Sequence, residues 1–178
     1  FPQETSRLVL VDPIGLEDWQ AKGVPYRTID AWYAAERGRT ADQIRAYEQK
    51  VYYAGEWRPE YEPWVQMLAG MYRGPDADSV AWNSALLYDM ITTQPVIYDL
   101  PRLKTPTTLM IGDRDVTAIG SDNAPPDVRA KLGHYPELGR AAAAAIPGAK
   151  LVEFPDVGHT PQLQAPQVFH QALLQALK

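Results

Sequence analysis

The 178-residue chain contains no cysteine, which removes disulfides, thiolate metal sites and a cysteine nucleophile from consideration. The same absence leaves the compartment open, because a cysteine-free chain suits either side of a membrane. No apolar run approaches the roughly 18 residues that a bilayer requires, so no membrane span is expected. Positive charge is also short: 17 Lys and Arg stand against 22 Asp and Glu, with a net charge of -5 and a pI near 5.2. Without a basic run to grip phosphates, no nucleic-acid partner is expected. The histidines, His134, His159 and His170, lack ligand spacing such as His-Glu-x-x-His, and no Gly-x-Gly-x-x-Gly follows a strand. No metal and no nucleotide cofactor is therefore implied, and His134 and His170 read as loop and helix-surface residues. The opening Phe1-Pro2-Gln3-Glu4 resembles neither a signal peptide nor a natural start, which leads us to expect that the chain begins inside a longer one.

A hydrophobic content of 46% is enough for a core, and the length suits one soluble domain or a domain with a lid. Three short apolar runs read as strands: Leu8 to Val11, Thr108 to Ile111 and Leu151 to Phe154, each bounded by Pro, Gly or Asp. Two are continuously apolar, as buried parallel strands are. Leu138 to Ala145, with its run of alanines, reads as a helix stopped by Pro147-Gly148, which completes a strand-helix-strand unit. A last helix opens at Pro166, with Phe169, Ala172, Leu173, Ala176 and Leu177 on one stripe.

Between Trp19 and Tyr98 the patterns are helical. Thr40 and Gln43 form a capping box ahead of Ile44, Tyr47 and Val51. Trp64, Val65, Leu68, Met71 and Tyr72 make a second stripe ending at Gly74, and Ser79 is placed to cap a third through Leu86, Leu87, Met90 and Ile91, stopped by Pro95. All five Trp and every Tyr except Tyr135 fall in this stretch. Most are expected to pack its own core, and a minority to line a substrate pocket.

The second strand runs into Gly112-Asp113-Arg114-Asp115, and the third into Pro155-Asp156-Val157-Gly158-His159. In open α/β sheets, ligands bind at the carboxyl ends of the strands, where loops gather side chains around one crevice. An aspartate there that accepts from one imidazole nitrogen would fix the tautomer and leave the other nitrogen as a general base. Taken singly, Asp115 also suits a turn or cap, and His159 a satisfied strand-end histidine. The joint order is more specific: strand, Gly-x-x-Asp, helix, strand, Gly-His, amphipathic helix, with a helical insertion upstream.

In that order the chain resembles the α/β-hydrolase family from its sixth core strand to its end. Arg7 to Pro13 looks like the strand leading into the cap, Thr107 to Asp115 like the next strand with the acid, and Phe154 to His159 like the last strand with the histidine. The resemblance implies an α/β fold of parallel strands with flanking helices, made of residues 1–15 and 99–178 as part of the core and 16–98 as a helical cap. It also implies Asp115 as catalytic acid and His159 as catalytic base. Asp113 is the earlier, less favoured choice of acid. Asp12 is a further one, since some relatives carry the acid there, although Asp12-Pro13 also suits a simple turn.

The family's nucleophile elbow, Gly-x-Ser-x-Gly, is absent. Ser6 precedes a strand, Ser79 suits a cap, Ser84 lies in a helix, and Ser121 is followed by Asp122-Asn123. Nucleophile, acid and histidine follow in that order in this fold, so the chain is expected to be inactive by itself. The first strand is expected to have an open edge, covered by an N-terminal complement of the same protein or by another subunit. Residues 121 to 135 lengthen the spacing from acid to histidine and read as a surface insertion or a pocket rim. The completed protein would hydrolyse a small or medium apolar ester through an acyl-enzyme. Two alternatives are kept open. One is an Asp nucleophile acting on epoxides or carbon-halogen bonds, with Tyr47, Tyr52 or Tyr53 as acid. The other is a non-catalytic binding module.

Overall fold

The computed structural model describes residues 1–178. Its central strand β2 is Thr107–Gly112, buried at every position. β2 pairs in parallel with β1, Leu8–Val11, on one side and β3, Lys150–Phe154, on the other. Its side chains alternate between faces, as the pleat requires. Leu109 and Ile111 point into one cluster with Tyr135, Ala142 and Ile146, while Met110 points into the other with Phe154, Val157 and Phe169. Full burial of such side chains contributes about 1.5–3 kcal/mol each. The two faces are thus covered by different helices, α6 (Tyr135–Ala145) and α8 (Pro166–Ala176).

Four helices lie between β1 and β2: α1 (Ile29–Glu36), α2 (Ala41–Val51), α3 (Glu62–Arg73) and α4 (Ala77–Thr93). The capping box at Thr40 and Gln43 is present as read. α1 was not foreseen; its signal is Thr28, whose Oγ1 accepts from the Ala31 amide. α4 starts at Ala77 after Asp76, so Ser79 lies inside the helix and does not cap it.

The stripes expected on α3 and α4 need correction. α3 buries Val65, Ala69 and Tyr72, whereas Trp64 and Met71 are exposed. α4 buries Ala81, Ala85 and Thr92, whereas Leu86, Leu87 and Met90 are exposed. Small residues let helix axes approach closely, so alanines take the shared face and the larger side chains are left outside. On α8, Leu177 is likewise exposed, at the last turn.

The stretch after Asp115 is packed. Ala124 and Leu132 are buried with Trp19 and Val24, and the short helix α5, Pro126–Arg129, carries Arg129 to the carbonyls of Ser121, Asp122 and Ala124. A second short helix, α7 (Pro161–Gln164), follows His159 directly. No helix is long and apolar enough to cross a membrane.

Candidate active site

Two glycines set how closely the strand ends approach. A Cβ on Gly112 would collide with the Gly158 carbonyl oxygen and lie 2.5 Å from that of Val157. Only a residue without a side chain lets the end of β2 run against the loop after β3. A Cβ on Gly158 would meet the Tyr52 carbonyl oxygen at 2.6 Å and the Ala54 nitrogen at 2.9 Å. The histidine loop is therefore wedged between β2 and the turn that follows α2. Hydrogen bonds hold it there: Asp113 N to Phe154 O, Arg114 N to Val157 O, Gly158 N to Gln164 Oε1, and Thr160 Oγ1 to Tyr52 O.

That arrangement brings Asp115 and His159 together. Asp115 is 1% exposed, and its Oδ2 is 2.7 Å from His159 Nδ1. Its Oδ1 accepts from the Thr117 amide at 2.8 Å and from Thr117 Oγ1 at 2.6 Å. A carboxylate held by three donors is fixed in position, and Nδ1–H donating to it is the tautomer that leaves Nε2 unprotonated. His159 is 20% exposed at its side chain, with no hydrogen bond at Nε2. Asp113, the other acid considered, is exposed on the same loop.

Aromatic rings enclose the imidazole. Tyr52 lies 5.1 Å from it, centroid to centroid, and Tyr135 meets it edge-on at 6.2 Å. Tyr47 packs on Tyr52. Burial, first of all, pushes the Tyr47, Tyr52 and Tyr135 hydroxyls above their ordinary range. Burial raises the Tyr53 hydroxyl too, but its ring stacks on Tyr61 at 3.7 Å within the protein, with the hydroxyl buried and unpartnered.

The alpha/beta hydrolase family model matches residues 4–172. The chain belongs to the α/β-hydrolase family. A probable hydrolytic enzyme from Pseudomonas aeruginosa PAO1 is 62% identical, superposes with a TM-score of 0.97, and aligns over 99% of this chain and 57% of its own. An esterase from Exiguobacterium antarcticum, 18% identical, shares the fold with a TM-score of 0.65 over 96% of this chain and 56% of its own. The enol-lactonase from Burkholderia xenovorans LB400, 16% identical, does so with a TM-score of 0.60 over 97% and 56%. The chain thus spans little more than half the length of these structures. A search of curated proteins finds no match.

Within this α/β-hydrolase chain, Asp12 departs from the simple turn that Asp12-Pro13 suggests. It is 2% exposed, has a left-handed backbone with φ 39°, and accepts the Gly112 amide on Oδ1 at 2.8 Å. Thr117 was also missed, because a threonine two residues beyond an aspartate carries no signal until the loop is seen to fold back. His134 and His170 are exposed and lie away from this cluster, His134 bonding to the Ala130 carbonyl. Ser84 pairs with Tyr72 in the helical segment, and none of the four serines hydrogen-bonds to His159.

Proposed function

We propose that the chain supplies the acid and the base of a serine-type hydrolase acting on small or medium apolar esters. The observation that carries this reading is the 2.7 Å contact between Asp115 Oδ2 and His159 Nδ1, with Nε2 unpaired beneath the tyrosines. In the proposed reaction, a serine supplied from outside residues 1–178 donates its proton to His159 Nε2 as it attacks the ester carbonyl. Asp115 accepts from Nδ1–H throughout and steadies the charge on the ring. His159 then returns the proton to the leaving alcohol, and a water repeats the cycle on the acyl-enzyme. No cofactor takes part.

The helices within residues 16–98 serve in this reading as the cap over residues 1–15 and 99–178, with Tyr47 and Tyr52 giving the pocket an apolar wall. β1 pairs only with β2 in this chain, and its other edge is assigned to the N-terminal complement or a covering subunit. Residues 1–178 alone are expected to turn over no ester.

Labelling by a serine-directed fluorophosphonate tests the reading. The complete protein should label covalently and lose esterase activity in proportion. An active protein that resists labelling would favour an Asp nucleophile instead, with Tyr52, against the histidine, better placed as acid than the sequestered Tyr53.

A further inference from the structure

Asp12 and Asp115 present an imbalance of donors. Both are carboxyl groups, both are buried, and both sit at Gly112, whose carbonyl accepts from the Asp115 amide. Asp12 Oδ1 is satisfied by the Gly112 amide, while its Oδ2 is buried with no donor in reach. A carboxylate offers about four acceptor sites, two on each oxygen. On Asp115, Oδ1 uses both for Thr117, and Oδ2 uses one for His159. One site on Asp115 remains, and the Asp115 side chain is a charge and hydrogen-bond partner that raises the Asp12 carboxyl. Two buried carboxylates at one strand end would repel strongly if both were ionised, so a proton shared between them stabilises the pair.

We propose that Asp12 is a positioning residue: a neutral carboxylic acid whose Oδ2–H donates to the Asp115 carboxylate and so braces the acid behind His159. The proton resides on Asp12 because Asp115 already accepts from three other donors. The backbone of Asp12, turned into the left-handed region, directs the side chain back over the end of β2. This deepens the acid–base reading of Asp115 and His159 and rests on it for the catalytic consequence, while the shared proton rests on the buried, unpartnered Asp12 oxygen and its place beside Asp115 at Gly112.

The titratable groups facing the pair are His159 from the loop after β3, Tyr47 from α2 and Tyr52 just after it, Tyr135 from α6 and, beyond it, Glu17 after β1, itself paired with Lys22. Burial and then the charge of Asp115 hold the Asp12 carboxyl up at about 8. The folded protein therefore keeps a proton on Asp12 from about pH 4, where the unfolded chain loses it, to about pH 8. The folded state binds more protons than the unfolded state across that window, so this group makes stability fall as pH rises through it.

Three measurements on the complete protein test the proposal. An infrared difference spectrum of the wild type between about pH 6 and pH 9 should show loss of a protonated-carboxyl stretch, and Asp12→Asn should abolish that band. Asp12→Asn, which keeps both a donor and an acceptor, should gain thermal stability relative to the wild type as pH is raised from 4 to 8. In turnover, Asp12→Ala should lower kcat roughly 10- to 100-fold with little change in KM, and Asp12→Asn should recover most of it while losing the wild type's alkaline limb. A wild-type spectrum without the band, or a stability difference flat with pH, overturns the shared proton. Should Asp115→Asn retain full activity, the acid–base reading fails, while the band and the stability slope still report on Asp12.

Discussion

Replacing Asp115 by Asn changes one atom and, in this loop, inverts the histidine. Asn has one carbonyl oxygen and one amide nitrogen. The Thr117 amide, 2.8 Å from Oδ1, can only donate, so the carbonyl must take that position. The amide nitrogen then occupies the place of Oδ2 and presents hydrogens to His159 Nδ1 and to Asp12. His159 must accept at Nδ1 and carry its proton on Nε2, where it can no longer act as base. Rotating the amide the other way would strand a buried Thr117 N–H, at a cost of about 1–3 kcal/mol. The expected loss in kcat is roughly a thousand- to ten-thousand-fold, or about 4–5.5 kcal/mol of transition-state stabilisation. Because every buried group keeps a partner, the fold should survive. The assay is ester hydrolysis by the complete protein at neutral pH, paired with thermal unfolding. A variant that unfolds like the wild type and hydrolyses within tenfold of it would refute the role given to Asp115.

The neighbouring residues allow smaller, graded tests. Thr117→Val preserves shape but removes the 2.6 Å hydroxyl bond to Asp115; a hydrogen bond to a charged group is worth about 1.5–3 kcal/mol, and urea unfolding at neutral pH should register that loss. Gly112→Ala drives a Cβ into the Gly158 and Val157 carbonyls, and this overpacking of backbone should cost about 3 kcal/mol or more; an unchanged denaturation midpoint would mean that the two strand ends do not touch. Thr40→Ala removes the side-chain half of the capping box of α2, the Gln43 amide bond to Thr40 Oγ1, at a cost of about 1 kcal/mol, a fall of about 2–4 °C in Tm with turnover at ambient temperature little altered.

What the sequence revealed depended on how local each cause was. The three strands were legible because a short apolar run stopped by Gly, Pro or Asp has few other readings. The approach of Asp115 and His159 followed from one topological fact, that both loops leave the same end of adjacent parallel strands. The faces of α3 and α4 were misread because periodicity ranks residues by size. Trp64 and Leu87 look more like core than Ala69 and Ala85, yet close helix packing selects the alanines. Asp12 was misread for a different reason. Asp-Pro is a good turn signal, and nothing within several residues of it announces the Gly112 amide, a hundred residues later, or the Asp115 carboxylate just beyond it, beside which it becomes a buried group.

The residues that assemble this site are in part those with no chemistry. Asp115 and His159 supply the reacting groups in the proposed reading, and they lie 44 residues apart. The convergence is enforced by backbone meeting backbone: Gly112 admits the histidine loop, and Gly158 admits the Tyr52 turn. Since Thr160 also binds the Tyr52 carbonyl, the helical segment is fastened to the same short stretch that carries His159. Any movement that lifts the Tyr52 end of that segment must disturb the imidazole as well. If this segment acts as the proposed cap, its opening would occur at the parts remote from Tyr52, where its helices are not tied to the histidine loop, so that His159 keeps its orientation.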